Sequence, residues 1–401
     1  MKKNFDIAII GSGLTGLTTS LALSSLNYKI ALIDPKSLIF KKNMYSDNRT
    51  TAISSGSVDF YKKIGVWKEL NKYACPIRKI LVEEVTSENR SSFGSANKKE
   101  SPMGFMIENQ YLLKILLALT KKNKKIVKYD YKLLDYNRTK EKVIVTLENN
   151  VSVHSKLIIG ADGRNSFLRK LANIEVKYKN YNQKAFTFNV KHEKPHNNLA
   201  IEKFLEEGPL AMLPIVGNKK NNYSSVVWSC NYPNYFTFLD KGEKKVETLI
   251  QNYFEKIYGK IKIVSRIKTW DLSLTHAKKY TDHRLLLLGD SAHSIHPLAG
   301  QGFNLTLRGV QKLYTYAAEE SNFNKDLGKK KYLLKYSKRH FLDATLLILV
   351  TDRLNFLFSN SNFILRKFRR KGLYLFSKSN FTNKLFKNYA TKGALFSLKN
   401  F

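Results

Sequence analysis

Residues 5–34 constrain the fold more than any other part of the chain, because they have the pattern of a complete βαβ unit. Residues 5–10 (FDIAII) are a continuous apolar run, as expected for a short strand buried on both faces of a parallel sheet. Residues 17–26 have the pattern of a helix, and residues 29–33 (KIALI) are a second apolar strand. About thirty residues is the usual length of this motif. The segment therefore predicts a parallel α/β sheet.

A glycine-rich turn, residues 11–16 (GSGLTG), joins the first strand to the helix. Gly11 permits a tight turn, Gly13 lets the backbone approach a pyrophosphate, and Gly16 lets the helix pack closely on the strand. The free N–H groups and the dipole at the helix N-terminus would then bind phosphate oxygens. In this context the pattern G-x-G-x-x-G predicts a dinucleotide site, and a chance glycine turn is the alternative.

The second strand ends at Asp34, where a carboxylate can bind both hydroxyls of a ribose. A carboxylate at this position disfavours a 2′-phosphate, so we expect the tightly bound ligand to be FAD or NAD and not NADP. The βαβ unit alone does not decide between FAD and NAD. The candidate nucleotide contacts in this unit are Gly11, Gly13, Leu14, Thr15, Gly16 and Asp34.

Two later apolar runs also end in glycine and aspartate. Residues 156–160 (KLIIG) precede an Ala-Asp-Gly turn, and residues 285–288 (LLLL) precede Gly289 and Asp290. Three such strand ends predict one parallel sheet with its ligand at the carboxyl edge.

The texture between these strands is different. Residues 76–104 and 181–269 alternate polar and apolar side chains and are rich in Tyr, Phe, Val and Thr, which favours an antiparallel sheet covered on one face. After about residue 330 apolar positions recur at three- and four-residue spacing, which indicates helix. The predicted fold is α/β, with a Rossmann-like parallel sheet interrupted by a mostly antiparallel β domain and followed by a helical C-terminal region.

Several motifs resemble those of the group A flavoprotein monooxygenases. Residues 160–166 (GADGRNS) and 289–305 (GDSAHSIHPLAGQGFNL) are similar to the two later motifs of that family. Within the second, HPLAGQGFNL resembles the signature of the FAD hydroxylases of ubiquinone biosynthesis, relatives of p-hydroxybenzoate hydroxylase. The resemblance continues through residues 47–54 (DNRTTAIS), 208–214 (GPLAMLP) and 370–373 (RKGL), and so covers essentially the whole chain.

The resemblance implies FAD as the cofactor and gives roles to matching residues. The glycines of the first turn and Asp34 would hold the ADP half, and Arg49 would lie near the flavin and its phosphates. Asp162 lies in a motif associated with both FAD and NAD(P)H, and Asp290, after Gly289, matches the carboxylate that binds the ribityl chain. The loop along the isoalloxazine ring would contain Pro297, Gly300, Gln301, Gly302, Phe303 and Asn304. The sequence nominates no general base.

The expected ring loop also has a physical rationale. Gly300 and Gly302 remove side chains where a flat ring meets backbone, and a helix beginning near Phe303 would direct its N-terminus at the ring. A helix N-terminus stabilises negative charge, such as that of reduced flavin, by about 0.3–1 kcal/mol. An ordinary glycine-rich helix entry is the alternative.

The same region departs from the family pattern at two positions. Thr306 stands where relatives commonly have Gly, and Gly309 where they commonly have Asp. Gly309 inside a helix is expected to cost about 1 kcal/mol relative to Ala. His293 and His296, three residues apart near Asp290, could suggest a metal site, but no further ligands cluster there and we predict loop packing instead.

The activity implied is hydroxylation of the aromatic ring of a polyprenylated quinone precursor. NAD(P)H would be a transient electron donor and O2 a co-substrate, with oxygen carried on a flavin C4a-hydroperoxide. A non-oxygenating FAD oxidoreductase of the same fold and a non-catalytic FAD-binding subunit of a membrane biosynthetic complex are the alternatives. The predicted limits are 1–75, 105–180 and 270–330 for the FAD-binding domain, 76–104 and 181–269 for the substrate domain, and 331–401 for the helical basic region.

The charge balance bears on partners and location. The formal net charge is +37, which reflects either a coding bias towards lysine or attraction to an anionic partner. Residues 353–401 hold eleven Lys and Arg and no acid, so this segment is either a solvated basic surface or a contact with anionic lipid.

No recognition module for nucleic acid is present, and no specific nucleic-acid partner is expected. Two cysteines and short apolar runs predict a cytoplasmic protein, with peripheral membrane association left open.

Overall fold

The structure is a computed structural model, and it describes residues 3–37, 48–84, 90–94, 97, 100–217, 220–231, 242–297, 300–321 and 326–358. The C-terminal positions 359–401 lie outside the described residues, and so does most of the predicted basic segment. Among the described helices, none combines the length and apolar character needed to cross a bilayer.

The described strands are β1 Lys3–Asn4, β2 Ile7–Ile10, β3 Ile30–Ile33, β4 Thr50–Ser54, β5 Cys75–Ile77, β6 Lys79–Glu84, β7 Arg90–Gly94, β8 Gly104–Glu108, β9 Ile126–Tyr129, β10 Leu133–Arg138, β11 Val143–Leu147, β12 Ser152–Ser155, β13 Leu157–Gly160, β14 Val176–His192, β15 Leu199–Phe204, β16 Pro209–Pro214, β17 Tyr223–Asn231, β18 Ile261–Ile263, β19 Lys268–Ala277, β20 Thr281–Asp282, β21 Leu285–Leu287 and β22 His293–Ser294.

The described α-helices are α1 Leu14–Ser24, α2 Ser55–Lys63, α3 Trp67–Leu70, α4 Asn109–Lys122, α5 Phe167–Leu171, α6 Gly242–Tyr258, α7 Gly302–Glu320 and α8 Lys330–Phe358.

The nucleotide-type sheet has six strands in the order β20-β21-β13-β2-β3-β9. All neighbours pair in parallel except the short edge strand β20. Ile7 and Ile9 pack on one face with α1, α4 and α7, while Ala8 and Ile10 pack on the other with β11 and β12. Because both faces are covered, the strands are apolar at every position, and this confirms the predicted parallel sheet.

The second large sheet is mostly antiparallel and has the order β22-β19-β14-β17-β16-β15-β6-β7, with β18 on the side of β14. The β15–β6 pair is parallel. One face is covered by α6, which buries Val246, Ile250, Phe254 and Tyr258 at four-residue spacing. The β-rich character is therefore confirmed, but residues Gly242–Tyr258 form a helix where the sequence pattern predicts strands throughout 181–269.

Two smaller sheets complete the described structure. One has the order β1-β12-β11-β10, and the other joins β4, β8 and β5. Strands cut across four predicted domain limits, because β5 spans residues 75 and 76, β8 spans 104 and 105, β14 spans 180 and 181, and β19 spans 269 and 270. The domain limits therefore stay a prediction.

Candidate functional site

Parallel pairing brings the ends of β2, β3, β13 and β21 to one edge of the six-stranded sheet. Backbone hydrogen bonds join the turns that follow. Gly11 N–H donates to Ile33 O at 2.8 Å, and Ala161 N–H donates to Ile10 O at 2.8 Å. Gly289, with φ +61°, faces Thr15 so closely that a Cβ would come within 2.6 Å of its Oγ1. The three predicted motifs therefore meet at this edge.

The first turn, residues 11–16, forms a glycine cradle in which positions 11 and 16 have no room for a side chain. Gly11 has φ +105°, and a Cβ there would collide with Ala161 O, while a Cβ on Gly16 would collide with Gly11 O. At Gly13, in contrast, a Cβ would meet no atom within 4 Å. Gly13 is the N-cap of α1 and provides no side-chain cap, so the first amides of the helix lack intrahelical acceptors and can donate to a ligand.

Asp34 is half-buried at the end of β3. Its Oδ2 accepts the Ser12 N–H at 2.7 Å, and its Oδ1 accepts the Lys36 N–H at 2.8 Å. The two amides fix the carboxylate beside the glycine cradle and leave further lone pairs for ligand hydroxyls.

Asp290 lies where β21 enters its turn. The residue is exposed, yet surrounding protein atoms raise the pKa of its carboxyl by desolvation, while Arg164 and Arg49 oppose that rise. The carboxyl is therefore accessible to a ligand and lies near two arginines. The Arg49 guanidinium lies 4.3 Å from the Trp270 ring centroid, and Arg164 donates to Ser273 Oγ at 3.0 Å.

The Asp162 carboxylate accepts hydrogen bonds from residues that follow it closely in the chain. It accepts Ser166 Oγ–H at 2.5 Å and the Leu168 N–H at 3.1 Å, and so orders the start of α5. Its position is close to the first turn, because the Cα of Asp162 would lie 2.9 Å from a Cβ on Gly11.

The loop before α7 contains a tight turn in which Gly300 N–H donates to Pro297 O at 2.9 Å. Gly300 has φ +61°, and a Cβ there would come within 3.2 Å of Ala52 Cβ. Helix α7 begins at Gly302, one residue before the predicted start. Gln301 is buried, and Phe303 is partly buried against the helical core. Positions 298 and 299 lie outside the described residues.

Asn304 is buried and joins the loop to β4. Its Oδ1 accepts from Ser54 N–H and Ser57 Oγ–H, both at 2.9 Å, and its Nδ2 donates to Ala52 O at 2.7 Å. A fourth contact, from Nδ2 to Gly300 O, is 3.3 Å. The amide therefore positions the loop.

The two histidines of the motif have separate packing partners. His293 Nε2 lies 3.2 Å from His340 Nε2, and His296 Nε2 lies 3.0 Å from Gln183 Oε1. Burial lowers the pKa of His293 to about 3 and that of His296 to about 4, so both are neutral at pH 7.

The antiparallel sheet presents one face to these elements. Asn189 Nδ2 donates to Glu108 Oε1 at 3.2 Å, and Thr50 Oγ1 donates to Ser225 Oγ at 3.4 Å. Near this junction the face is apolar and only half-buried, and its members are Ile80, Val82, Ala211, Leu213 and Val227. Ala52 of β4 packs in one cluster with Ile80 and Leu213, and we call this face together with Ala52 the apolar wall. Ala52 belongs both to this wall and to the contact with Gly300, so the wall faces the loop.

Sequence reasoning gave no role to Arg164, Trp270 or Glu202, all of which lie at this junction. Arg164 lies within the motif GADGRNS (residues 160–166), so the sequence does indicate its position near the site. Trp270 and Glu202 are placed by strand register alone, through the pairs Ala185–Trp270 and Glu202–Ala211, and a single sequence carries no signal for register of this kind.

The residues present fit FAD. Open space beside Gly13, a helix N-terminus without a side-chain cap, a fixed carboxylate at Asp34 and an accessible carboxylate at Asp290 provide donors and acceptors along one edge of the sheet. This is the donor set that a dinucleotide requires.

Comparison with known proteins agrees with this geometry. The chain is 31% identical to the ubiquinone hydroxylase UbiL of Rhodospirillum rubrum, over 96% of this chain and 89% of the relative. It is 28% identical to the 3-demethoxyubiquinol 3-hydroxylase of Escherichia coli, over 92% and 93%. The crystal structure of p-nitrophenol 4-monooxygenase PnpA from Pseudomonas putida has the same fold, with a TM-score of 0.76, 14% identity and coverage of 98% and 99%.

The family model described as "FAD binding domain" matches residues 4–341, which include every element at the carboxyl edge of the parallel sheet. The chain therefore belongs to this family of FAD-binding proteins.

Proposed function

We propose that the protein is an FAD-dependent monooxygenase that hydroxylates the aromatic ring of a lipid-soluble quinone precursor in ubiquinone biosynthesis, with NAD(P)H and O2 as co-substrates. The observation that carries the proposal is the half-buried apolar wall facing the Gly300 loop, beside the nucleotide cradle. The relatives named as ubiquinone hydroxylases support the choice of substrate.

The ADP half of FAD would lie on the first turn. The amides of Gly13, Leu14 and Thr15 would donate to the pyrophosphate, and Asp34 would accept from the adenosine ribose. Gly11 and Gly16 would act through close packing, since neither position has room for a Cβ.

The remaining candidates would hold the flavin half. Asp290 would accept from ribityl hydroxyls and Arg49 would lie near the phosphates, which is supported by the electrostatic effect of Arg49 on that carboxyl. Asp162 would order the turn after β13, and Gly289 would admit the cofactor beside Thr15. The loop residues Pro297, Gly300, Gln301, Gly302, Phe303 and Asn304 would lie along the ring, with Asn304 as a positioning residue.

The wall would bind the substrate ring by apolar contact. Ala211, Leu213 and Val82 offer side chains without hydrogen-bonding groups, and burial of such surface contributes about 25 cal/mol per Å². The bound flavin supplies the transfer of electrons from NAD(P)H to oxygen. The chain's part is to orient the ring against the Gly300 loop and to exclude water from it.

The decisive experiment uses the purified full chain. Its visible spectrum reports bound flavin, anaerobic NAD(P)H addition reports reduction, and mass spectrometry with ¹⁸O2 reports oxygen insertion into a short-chain prenylated phenol. Product that carries one ¹⁸O supports the proposal. Reduction without labelled product would indicate a non-oxygenating oxidoreductase, and flavin that NAD(P)H never reduces would indicate a non-catalytic subunit.

We further propose peripheral contact with anionic membrane through α8. Its exposed apolar side chains are Leu334, Leu342, Leu349, Val350 and Phe356, with exposed fractions between 40% and 56%. The exposed charged residues of this helix are all basic, namely Lys330, Lys331, Lys335, Lys338, Arg339 and Arg353. A face of this kind suits the headgroup region of anionic lipid. Contact with a biosynthetic complex would use the same surface.

The predicted domain organisation fits this arrangement. Residues 1–75, 105–180 and 270–330 would hold FAD, residues 76–104 and 181–269 would cover the substrate, and 331–401 would face the membrane. All strands of the six-stranded sheet lie in the ranges assigned to FAD, which supports that part of the division, whereas β22 and most of β19, which also lie there, belong to the antiparallel sheet.

A further inference from the structure

Glu202 is a carboxylate in the middle of the apolar wall. It lies on β15, opposite Ala211 of β16 and Val82 of β6. Side chains alternate along a strand, so Glu202 shares its face with Ala200 and Phe204. The opposite face carries Ile201, which packs in the core beneath α6.

The neighbours on this face place Glu202 between two apolar clusters. Ala200 packs with Cys75, Met106 and Ala52, and Ala52 is the residue against which Gly300 lies. Phe204 packs with Val82 and with Leu354 and Leu357 at the end of α8. The carboxylate therefore lies in the gap between the Gly300 loop and α8.

No part of the described protein satisfies this carboxylate. Its neighbour Lys203 turns to the other face, where it pairs with Glu83. Glu202 itself has no hydrogen bond or ion pair among the described residues. The side chain is half-buried, like the apolar residues around it. A carboxylate without a hydrogen-bonding partner in an apolar wall lowers the stability of the fold. A purely structural role would therefore not explain Glu202 at this position.

The surroundings make the group basic. Desolvation alone raises the pKa of Glu202 to about 7. Other titratable groups on this side include Glu84, which shares the face on β6, and the Cys75 thiol, whose pKa burial raises to about 12. They also include Glu108 of β8, whose pKa is raised by desolvation, and Arg353 beside Leu354 on α8. The paired strand β16 contributes Pro209, Ala211 and Leu213, and α8 contributes Leu354 and Leu357.

We propose that Glu202 is the proton acceptor for the ring hydroxyl of the aromatic substrate, an inference that rests on the proposed hydroxylase function. The phenolic O–H bond breaks, its electron pair stays on the oxygen, and the proton forms an O–H bond with a carboxylate oxygen of Glu202. The phenolate so formed is more electron-rich at its ring carbons and therefore a better acceptor of an oxygen atom. General-base catalysis of this kind contributes typically 10²–10⁴-fold.

The test compares Glu202→Gln, an isostere that cannot take up a proton, with the wild type. The control is Glu255→Gln, on the exposed side of α6 beyond the opposite face of the sheet. The wild-type pH profile of kcat/KM should have an acidic limb near pH 7. Glu202→Gln should lose that limb and about 10²-fold in kcat, with FAD content and KM nearly unchanged, while Glu255→Gln should match the wild type.

A second readout does not need turnover. The absorbance of a bound prenylated phenol reports its ionisation. Because the anionic Glu202 carboxylate accepts the phenolic O–H and opposes a second negative charge beside it, Glu202→Gln should ionise the bound phenol at a lower pH than the wild type does. A retained acidic limb, or equal ionisation in both proteins, overturns the role of Glu202. If the wild type reduces FAD yet makes no hydroxylated product, the proposed function fails instead, and the binding readout still decides whether Glu202 takes the proton. If Glu202→Gln does not fold, Glu202→Asp should shift the limb without abolishing it.

Discussion

Asn304 Oδ1 accepts the backbone N–H of Ser54 at 2.9 Å and ties the first turn of α7 to the end of β4. The two residues are 250 positions apart, and the bond holds the Gly300 loop against Ala52. The proposed flavin face thus depends on an amide that lies behind the loop.

Asn304→Ala should destabilise the protein by roughly 1–3 kcal/mol, because it leaves the buried Ser54 N–H and Ala52 O without partners. Urea unfolding measures the loss. Asn252→Ala, at an exposed position of α6, is the control for helix propensity and should be neutral or slightly stabilising. Equal stability of the two variants would show that the amide does not hold the loop.

Gly309 makes room for a neighbouring helix. A Cβ on Gly309 would come within 2.6 Å of His340 Nε2 and 3.0 Å of Tyr336 Oη. Gly309→Ala should therefore destabilise the wild type by about 1 kcal/mol or more, since overpacking outweighs the gain in helix propensity. In a His340→Ala background the same change should cost less, because only the contact with Tyr336 Oη remains. A double-mutant cycle by denaturant unfolding tests this, and additive effects would contradict the contact.

Stability should fall as the pH is lowered from 6.5 towards 4. Burial holds the pKa of His293 at about 3 and that of His296 at about 4, both below the unfolded value of 6.5. Between these pKa values the two histidines bind protons in the unfolded chain but not in the folded chain. Their contribution to the free energy of unfolding is therefore fully present above pH 6.5 and is lost as the pH falls below 6.5. His293→Asn should reduce the loss between pH 6.5 and 5 by about 1–2 kcal/mol. Parallel unfolding curves for variant and wild type would refute the assignment.

Asp34→Asn should weaken FAD binding at least tenfold, because the amide cannot accept from two ribose hydroxyls as a carboxylate does. Flavin fluorescence during titration of the apoprotein measures the affinity. Asp6→Asn is the matched control, since Asp6 accepts the Lys29 N–H at 2.9 Å at the opposite end of the same sheet. An equal effect of both substitutions would mean that the loss is structural.

The α8 surface should bind anionic vesicles. The full chain should float with vesicles containing phosphatidylserine and not with neutral ones. Replacement of Leu342 and Leu349 by Ser should reduce flotation severalfold, whereas Leu134→Ser, an exposed residue of β10, should not. Absence of flotation even at low salt would remove the membrane proposal.

The parallel sheet and its glycine turn were predictable because the signal is local. Continuous apolar runs before Gly11, Ala161 and Gly289 mark strands buried on both faces, and each run lies next to its own turn. The helix α6 was missed because its exposed residues are polar and its buried side, one residue in four, is narrow. The sequence also gives no reason for a glycine at position 309. The reason is that the His340 ring of α8 occupies the space that a side chain on Gly309 would need.

The residues of the candidate site also fall into a group that the sequence predicts and a group that it does not. Residues whose role depends on backbone shape, such as Gly11 and Gly300, follow from a motif. Residues whose role depends on strand pairing do not, and Glu202 is the example, because only its register with Ala211 and Val82 places it on the wall.

The order of strands in the parallel sheet has a consequence for synthesis on the ribosome. The central pair β13–β2 joins residues 150 positions apart, and β21 cannot dock until residue 287 has emerged. The side of β13 that pairs with β21 therefore stays open while most of the chain is translated. Such non-local pairing is slow and open to aggregation, so we expect the nascent protein to depend on chaperones until β21 completes the sheet.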